Sequence, residues 1–143
     1  MEYVNIKNDL FRLPSDYYLA HCISSDFAMG AGIAVLFTQR GVKTYLKSNY
    51  PRKWENQGYA LFAPLPNFKG AYNLVTKQRY YMKPTYKTLQ DALLDMKSQL
   101  PNDCKLAMPC IGSGLDRLDW QKVEKIIKET FADTDISITV CHL

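Results

Sequence analysis

Alternation between two hydrophobic periods constrains the fold of this chain more than any other feature. Segments rich in β-branched and aromatic residues recur at Tyr3–Ile6, Tyr17–Ser24, Tyr59–Ala63, Tyr72–Lys77, Leu106–Pro109 and Ile136–Leu143, and they read as strands. In the last of them Ile136, Ile138 and Val140 repeat at period two, which places them on one face of a sheet. Segments with helical spacing fall between the strands, at Gly32–Gln39, Val42–Asn49, Thr85–Leu100 and Asp119–Phe131. Leu89, Ala92, Leu93, Met96 and Leu100 mark one apolar stripe, and Val123, Ile126, Ile127 and Phe131 mark another; both should face a core. Asp119 stands where a helix N-cap is expected. Strands alternating with helices predict an α/β layered fold, a sheet covered on both faces. Ligand sites in such folds lie beyond the carboxyl ends of strands.

The 143 residues carry no repeat or low-complexity stretch, and 47% are hydrophobic against 22% charged. One domain spanning 1–143 with its own core is therefore expected. No apolar run approaches the roughly 18 residues of a membrane span, and Met1–Lys7 lacks the apolar core of a signal peptide. The expectation is an intracellular monomer, cytoplasmic or nuclear, without membrane contact. Cys22, Cys104, Cys110 and Cys141 form no C-x-x-C pair, so they read as reduced thiols rather than zinc or redox ligands. His21-Cys22 and Cys141-His142 each point to opposite faces of a strand, so no metal site and no cofactor are expected. A net charge of +4 favours acidic ligands without selecting one.

Two glycine-bearing loops follow strands. The first runs Ser24-Ser-Asp-Phe-Ala-Met-Gly-Ala-Gly-Ile-Ala-Val-Leu-Phe37, where Ala28, Gly30, Ala31 and Gly32 permit close approach of backbone to a ligand. A helix start beyond it offers free amides and a positive dipole end. A dinucleotide fingerprint would need a third small residue where Val35 stands. The second loop, Cys110-Ile-Gly-Ser-Gly-Leu-Asp-Arg-Leu-Asp-Trp120, lacks the G-K-[ST] of a P-loop. Two such loops after different strands suggest a clamp on a diphosphate. Asp116 is either a helix-start acid or a general acid or base aimed into the cleft, and spacing does not decide between these.

Leu19-Ala-His-Cys-Ile-Ser24, Met29-Gly-Ala-Gly-Ile-Ala-Val-Leu-Phe37, Lys83-Pro-Thr-Tyr86 and Met108-Pro-Cys-Ile-Gly-Ser-Gly-Leu-Asp-Arg-Leu118 together closely resemble the terminal ADP-ribose protein glycohydrolase branch of macrodomains. Asn8-Asp-Leu-Phe11 and Asp135-Ile-Ser-Ile-Thr-Val140 extend the likeness over nearly the whole chain. The resemblance implies a three-layer α/β/α macrodomain with a central mixed β-sheet. It implies ADP-ribose in a cleft, with adenosine near Asp9 and Leu10 and the phosphates between the loop Met29, Gly30, Ala31, Gly32 and the second loop. Ser24, the run Cys110, Ile111, Gly112, Ser113, Gly114, Leu115, Asp116, and Leu143 would line it. The substrate implied is ADP-ribose ester-linked to an acidic side chain of a protein, or an O-acyl-ADP-ribose; close relatives act on ADP-ribosylated DNA bases. The family's lysine corresponds to Lys77 and its aspartate to Asp116, a nucleophile and a proton carrier for a lysyl intermediate.

Lys83 is a rival lysine, but it precedes Pro84 and looks like the entry to a helix. Departures from the family pattern are Asn8 in place of glycine, Cys110 in place of a basic residue, Ser113 in place of cysteine, and an unmatched segment from Tyr45 to Phe68. That segment is expected to pack as a surface loop. Competing readings are a module that binds ADP-ribose without cleaving it, and an enzyme acting on ADP-ribosylated nucleic acid. A cysteine hydrolase is disfavoured by only two histidines, both on strands.

Overall fold

The structure is a computed structural model that describes residues 1–143. Its elements in chain order are β1 (Glu2–Lys7), β2 (Tyr17–Ser24), α1 (Ala34–Gln39), α2 (Val42–Asn49), β3 (Tyr59–Ala63), β4 (Gly70–Lys77), α3 (Tyr86–Gln99), β5 (Lys105–Met108), α4 (Trp120–Phe131) and β6 (Ser137–His142). A single 3-10 turn at Leu10–Arg12, unforeseen in the sequence, follows β1. The strands form one mixed sheet in the order β1-β6-β5-β2-β4-β3. All neighbours are parallel except β3, which runs antiparallel to β4.

Alternation along the strands divides the core in two. Leu106 and Met108 of β5 pack on one side with Leu89, Leu93 and Met96 of α3 and Val123, Ile127 and Phe131 of α4. Ala107, one residue between them, joins Leu19, Ile23 and Val75 under Phe37 of α1 and Leu46 of α2. The result is the three-layer α/β/α arrangement expected. Helix starts fall close to the sequence reading because their caps are real. Asp119 accepts from Gln121 N–H, and Thr85 and Thr88 cap each other reciprocally, each such cap contributing about 1 kcal/mol. Gly32 is a correction: it lies outside α1, since its φ of +61 is left-handed and cannot continue a right-handed helix. Pro109 also falls outside β5, having no N–H to extend a ladder. The unmatched segment is not a plain loop; it holds most of α2 and all of β3, with Trp54 packed against the core beneath α1 and α2.

β3 is an edge strand, and side chains take several of the backbone groups on it and just before it. Gly58 N–H donates to Asp91 Oδ2 at 3.3 Å and Ala60 N–H to Asp95 Oδ2 at 2.8 Å. Gln99 Nε2 donates to the Ala60 carbonyl at 3.1 Å and Tyr50 Oη to that of Phe62 at 2.7 Å. The close approach of α3 also explains a glycine, because a Cβ on Gly58 would sit 1.9 Å from the Thr88 carbonyl oxygen.

His21 is wholly buried in β2, stacked on the Phe37 ring with centroids 3.7 Å apart. Asn73 Nδ2 donates to the Leu61 carbonyl, which turns Asn73 Oδ1 toward His21 Nε2 at 2.6 Å. Nε2 therefore carries the proton, and Nδ1 has no partner. Burial, opposed by the hydrogen bond to Asn73, lowers the His21 pKa to about 4. The unfolded chain then binds the extra proton between about pH 6.5 and 4, so stability is full above that window and falls as pH drops through it. The expected loss is about 3 kcal/mol. Urea melts across this range should show that slope in the native chain and a flatter one in His21→Gln; equal slopes would exclude His21 as the titrating group.

Candidate active site

The parallel strands β5, β2 and β4 lie side by side and end at the same edge of the sheet. The chain leaves β5 toward β6 on one side and leaves β2 toward β3 and β4 on the other, so their carboxyl ends flank a topological switch point. A cavity of about 670 Å³ opens there. Its walls come from the loop after β2 (Ala28 to Ile33), the loop after β5 (Pro109 to Asp116, without Ser113), and Tyr80, Tyr81 and Met82 after β4. Lys77, the last residue of β4, and Cys22 of β2 also line it. A second hollow of about 540 Å³ lies between α3 and β3, but its Asp91 and Asp95 are occupied by the β3 backbone.

The two glycine loops present backbone donors. The amides of Met29, Gly30, Ala31 and Gly32 have no intramolecular acceptor, nor do those of Gly112, Gly114, Leu115 and Asp116. Concave runs of free N–H groups are anion cradles. The first loop reaches this shape at a cost, since Phe27 and Met29 both take left-handed backbone (φ 55 and 49), each worth about 1–3 kcal/mol of strain for a bulky residue. Their side chains are buried, which offsets it. In the second loop Gly112 has φ +73, and a Cβ there would meet Leu118 at 3.1 Å. Leu118 N–H closes this loop on the Gly112 carbonyl at 2.7 Å.

Lys77 and Asp116 come together between the loops. Lys77 Nζ donates to Asp116 Oδ1 at 2.6 Å, with the two side chains 14% and 15% exposed. Partial burial strengthens such a pair relative to one in water. Cys22 lies close by, and its thiol is pushed up, by burial first and by the Asp116 charge second. It is a poor nucleophile for that reason. Lys83 is exposed and does not line the cavity. No three His, Cys, Asp or Glu side chains converge to hold a metal ion.

Of the residues singled out in the sequence, Ser24, Met29, Gly30, Ala31, Gly32, Lys77, Cys110, Ile111, Gly112, Gly114, Leu115 and Asp116 line the cavity. Asp9, Leu10, Ser113 and Leu143 do not. Asp9 caps the 3-10 turn by accepting from Phe11 N–H, and the Leu10 side chain is in the core. Ser113 Oγ closes its own turn on the Cys110 carbonyl at 2.8 Å. Leu143 follows β6, one strand beyond β5. Tyr80, Tyr81 and Met82, none of them expected to line the site, account for three of the eight exposed large apolar side chains in the molecule.

The fold is that of a macrodomain. It superposes on the macrodomain of Mycobacterium tuberculosis DarG with a TM-score of 0.77, 19% identity, and 99% and 97% of the two chains covered. Thermosipho africanus DarTG in complex with ADP-ribose gives 0.69 at 16% identity, over 98% of this chain and 41% of that one. No family profile matches the sequence. The chain is 45% identical over 142 residues to human ADP-ribose glycohydrolase OARD1, covering 96% of this chain and 90% of the relative. It belongs to the OARD1 family of ADP-ribose glycohydrolases.

Proposed function

We propose that this chain is an ADP-ribose glycohydrolase that removes mono- or terminal ADP-ribose ester-linked to acidic side chains, acting as an intracellular monomer. The observation that carries this reading is the Lys77–Asp116 pair, 2.6 Å apart in a cavity walled by two runs of free amides. The amides of both loops take the diphosphate, and the distal ribose then falls over Lys77. Adenosine extends toward the β1–β6 side, where Asp9 stands. No helix is long and apolar enough to cross a membrane, and all four cysteines are free thiols.

The chemistry needs only the groups present. The neutral Lys77 amine attacks C1″ of the distal ribose; a C–N bond forms, the C–O bond breaks, and the carboxylate leaves with the electron pair. Asp116, at hydrogen-bonding distance from the same nitrogen, takes the proton that the new secondary ammonium must lose. Asp116 returns that proton to the nitrogen, and water then attacks C1″ as the C–N bond breaks. Lys77 leaves as the neutral amine while the Asp116 carboxylate accepts water's proton and releases it to solvent, giving free ADP-ribose and the original lysine.

A second reading is favoured by one observation. Tyr80 and Tyr81 are 66% and 73% exposed at the mouth, with Arg79 and Lys83 beside them in sequence. Aromatic faces flanked by cations also suit a nucleobase, so an ADP-ribosylated nucleic acid is the alternative target. Incubation with ester-linked ADP-ribosyl protein, O-acetyl-ADP-ribose and ADP-ribosylated DNA separates these. Fastest release from the protein ester is expected. Faster release from DNA would establish the second reading, and binding of ADP-ribose without turnover of any substrate would make the chain a reader module.

A further inference from the structure

The Ser24-Ser25-Asp26 segment beyond β2 grips the stretch of chain that carries Lys77. Ser25 N–H donates to the Lys77 carbonyl at 2.9 Å, and Ser25 Oγ donates to the Gln78 carbonyl at 2.8 Å. Asp26 Oδ2 accepts from Tyr80 N–H at 3.0 Å. The other carboxylate oxygen, Oδ1, accepts from Ser24 Oγ and from Ala28 N–H, the latter at 3.1 Å. Ala28 belongs to the first glycine loop, and its carbonyl in turn accepts from Lys43 Nζ of α2 at 2.9 Å. The peptide units on either side of Ala28 are therefore pinned at both ends, between the left-handed residues Phe27 and Met29. Such backbone persists only where its surroundings over-determine it.

An ordinary turn explains half of this. An aspartate that accepts from the N–H two residues on is a common loop device, and Oδ1 with Ala28 fits that description. Oδ2 bonded to an amide 54 positions later does not. Partial burial pushes the Asp26 carboxyl up, but hydrogen bonds from Ser24, Ala28 N–H and Tyr80 N–H, with Arg79 nearby, outweigh it and hold the group below its usual range. Both arms are thus present at neutral pH.

We infer that Asp26 is a positioning residue that ties the anion-binding loop to the strand end bearing Lys77. A substrate whose diphosphate seats on Met29–Gly32 then finds the Lys77 amine already placed at its distal ribose. This rests on the reading of the cavity given above.

Asp26→Asn tests it. Two donors on the Oδ1 side against one on the Oδ2 side leave the amide oxygen facing Ser24 and Ala28, and turn the NH2 toward Tyr80 N–H, donor against donor. The loop should remain formed while its tie to the Lys77 strand is cut. The expected result is a fall in kcat of about tenfold on ester-linked ADP-ribosyl protein, with ADP-ribose Kd changed by less than about twofold. Asp26→Ala loses both arms, and its Kd should weaken as well. Ser25→Ala, which loses only the bond to the Gln78 carbonyl, should lower kcat in the same direction and to a smaller extent. A merely structural role would lower Tm but leave kcat and KM of the folded Asn variant unchanged, and that result would overturn the inference. Amide exchange gives a readout independent of turnover. Adding ADP-ribose to the native chain should increase protection at residues 78–82, and Asp26→Asn should bind ADP-ribose without that gain. If the native chain hydrolyses nothing, the functional reading fails and the exchange measurement still decides the role of Asp26; the same gain in both chains would overturn it.

Discussion

Lys77→Ala is expected to lower hydrolysis of ester-linked ADP-ribose by about a thousandfold or more, the scale on which loss of a covalent nucleophile is felt. ADP-ribose affinity should change by less than about tenfold, because the diphosphate is held by backbone amides of Met29–Gly32 and the second loop, which the substitution leaves in place. The variant also strands Asp116, which is partly buried and bonded to Lys77 Nζ in the native chain, so some loss of stability should accompany the loss of turnover. Asp116→Ala gives the complementary outcome. The nucleophile remains, but the group that takes up and returns protons is gone, so a lysyl–ADP-ribose adduct should accumulate and be seen by mass spectrometry of the intact variant and its peptides. An adduct on Lys83 would show that the wrong lysine is assigned. Full activity in Lys77→Ala would remove covalent lysine catalysis and leave Asp116 acting on water.

Gly114→Glu should abolish measurable ADP-ribose binding without unfolding the chain. The fold tolerates a side chain here, since a Cβ built on Gly114 meets nothing within 4 Å and the residue lacks the left-handed backbone of Gly112. Gly114 lines the cavity, and the new carboxylate would enter the space where the second loop offers its amides. Two unit charges about 4 Å apart at an effective dielectric constant of 20 repel by about 4 kcal/mol, which is roughly a thousandfold in Kd. Calorimetry with ADP-ribose on the folded variant is the measurement; native affinity would refute the diphosphate clamp. Gly112→Ala makes the contrasting case. Its φ of +73 and its 3.1 Å approach to Leu118 should cost stability instead, so the two glycines of one loop separate ligand space from backbone need.

The layered architecture was legible because its signals are local and redundant. Period two in Ile136, Ile138 and Val140, helical stripes on α3 and α4, and the cap at Asp119 each name their element, and every one is found in the fold. Boundaries failed where a single dihedral decides, as at Gly32. The site was half legible. Glycine loops announce anion cradles by composition alone, whereas the pairing of Lys77 with Asp116, 39 positions apart, came from resemblance, since no local pattern encodes it. Tyr80 and Tyr81 stand in the basic, aromatic stretch Lys77–Lys87, but exposed tyrosines in a polar loop have no site signature until the loop is seen to rim a cavity. Asp26 did carry a signal: serine and aspartate directly after a strand favour a side-chain-bonded turn. What sequence hid was the second carboxylate oxygen, whose partner is set by strand order.

The side chains along β3 bear on how this chain behaves at high concentration. An unpaired edge strand is a template on which another chain can add a strand of its own, the first step toward sheet-to-sheet aggregation. Here Asp91, Asp95, Gln99 and Tyr50 already occupy backbone donors and acceptors at Gly58, Ala60 and Phe62, so an incoming strand must first displace bonds the molecule makes to itself. Two of those guards are carboxylates, which would also repel an acidic intruder and lose their grip only when α3 lifts away. Resistance to self-association at this edge is therefore tied to the docking of one helix, and a variant that loosens α3 should aggregate before it unfolds.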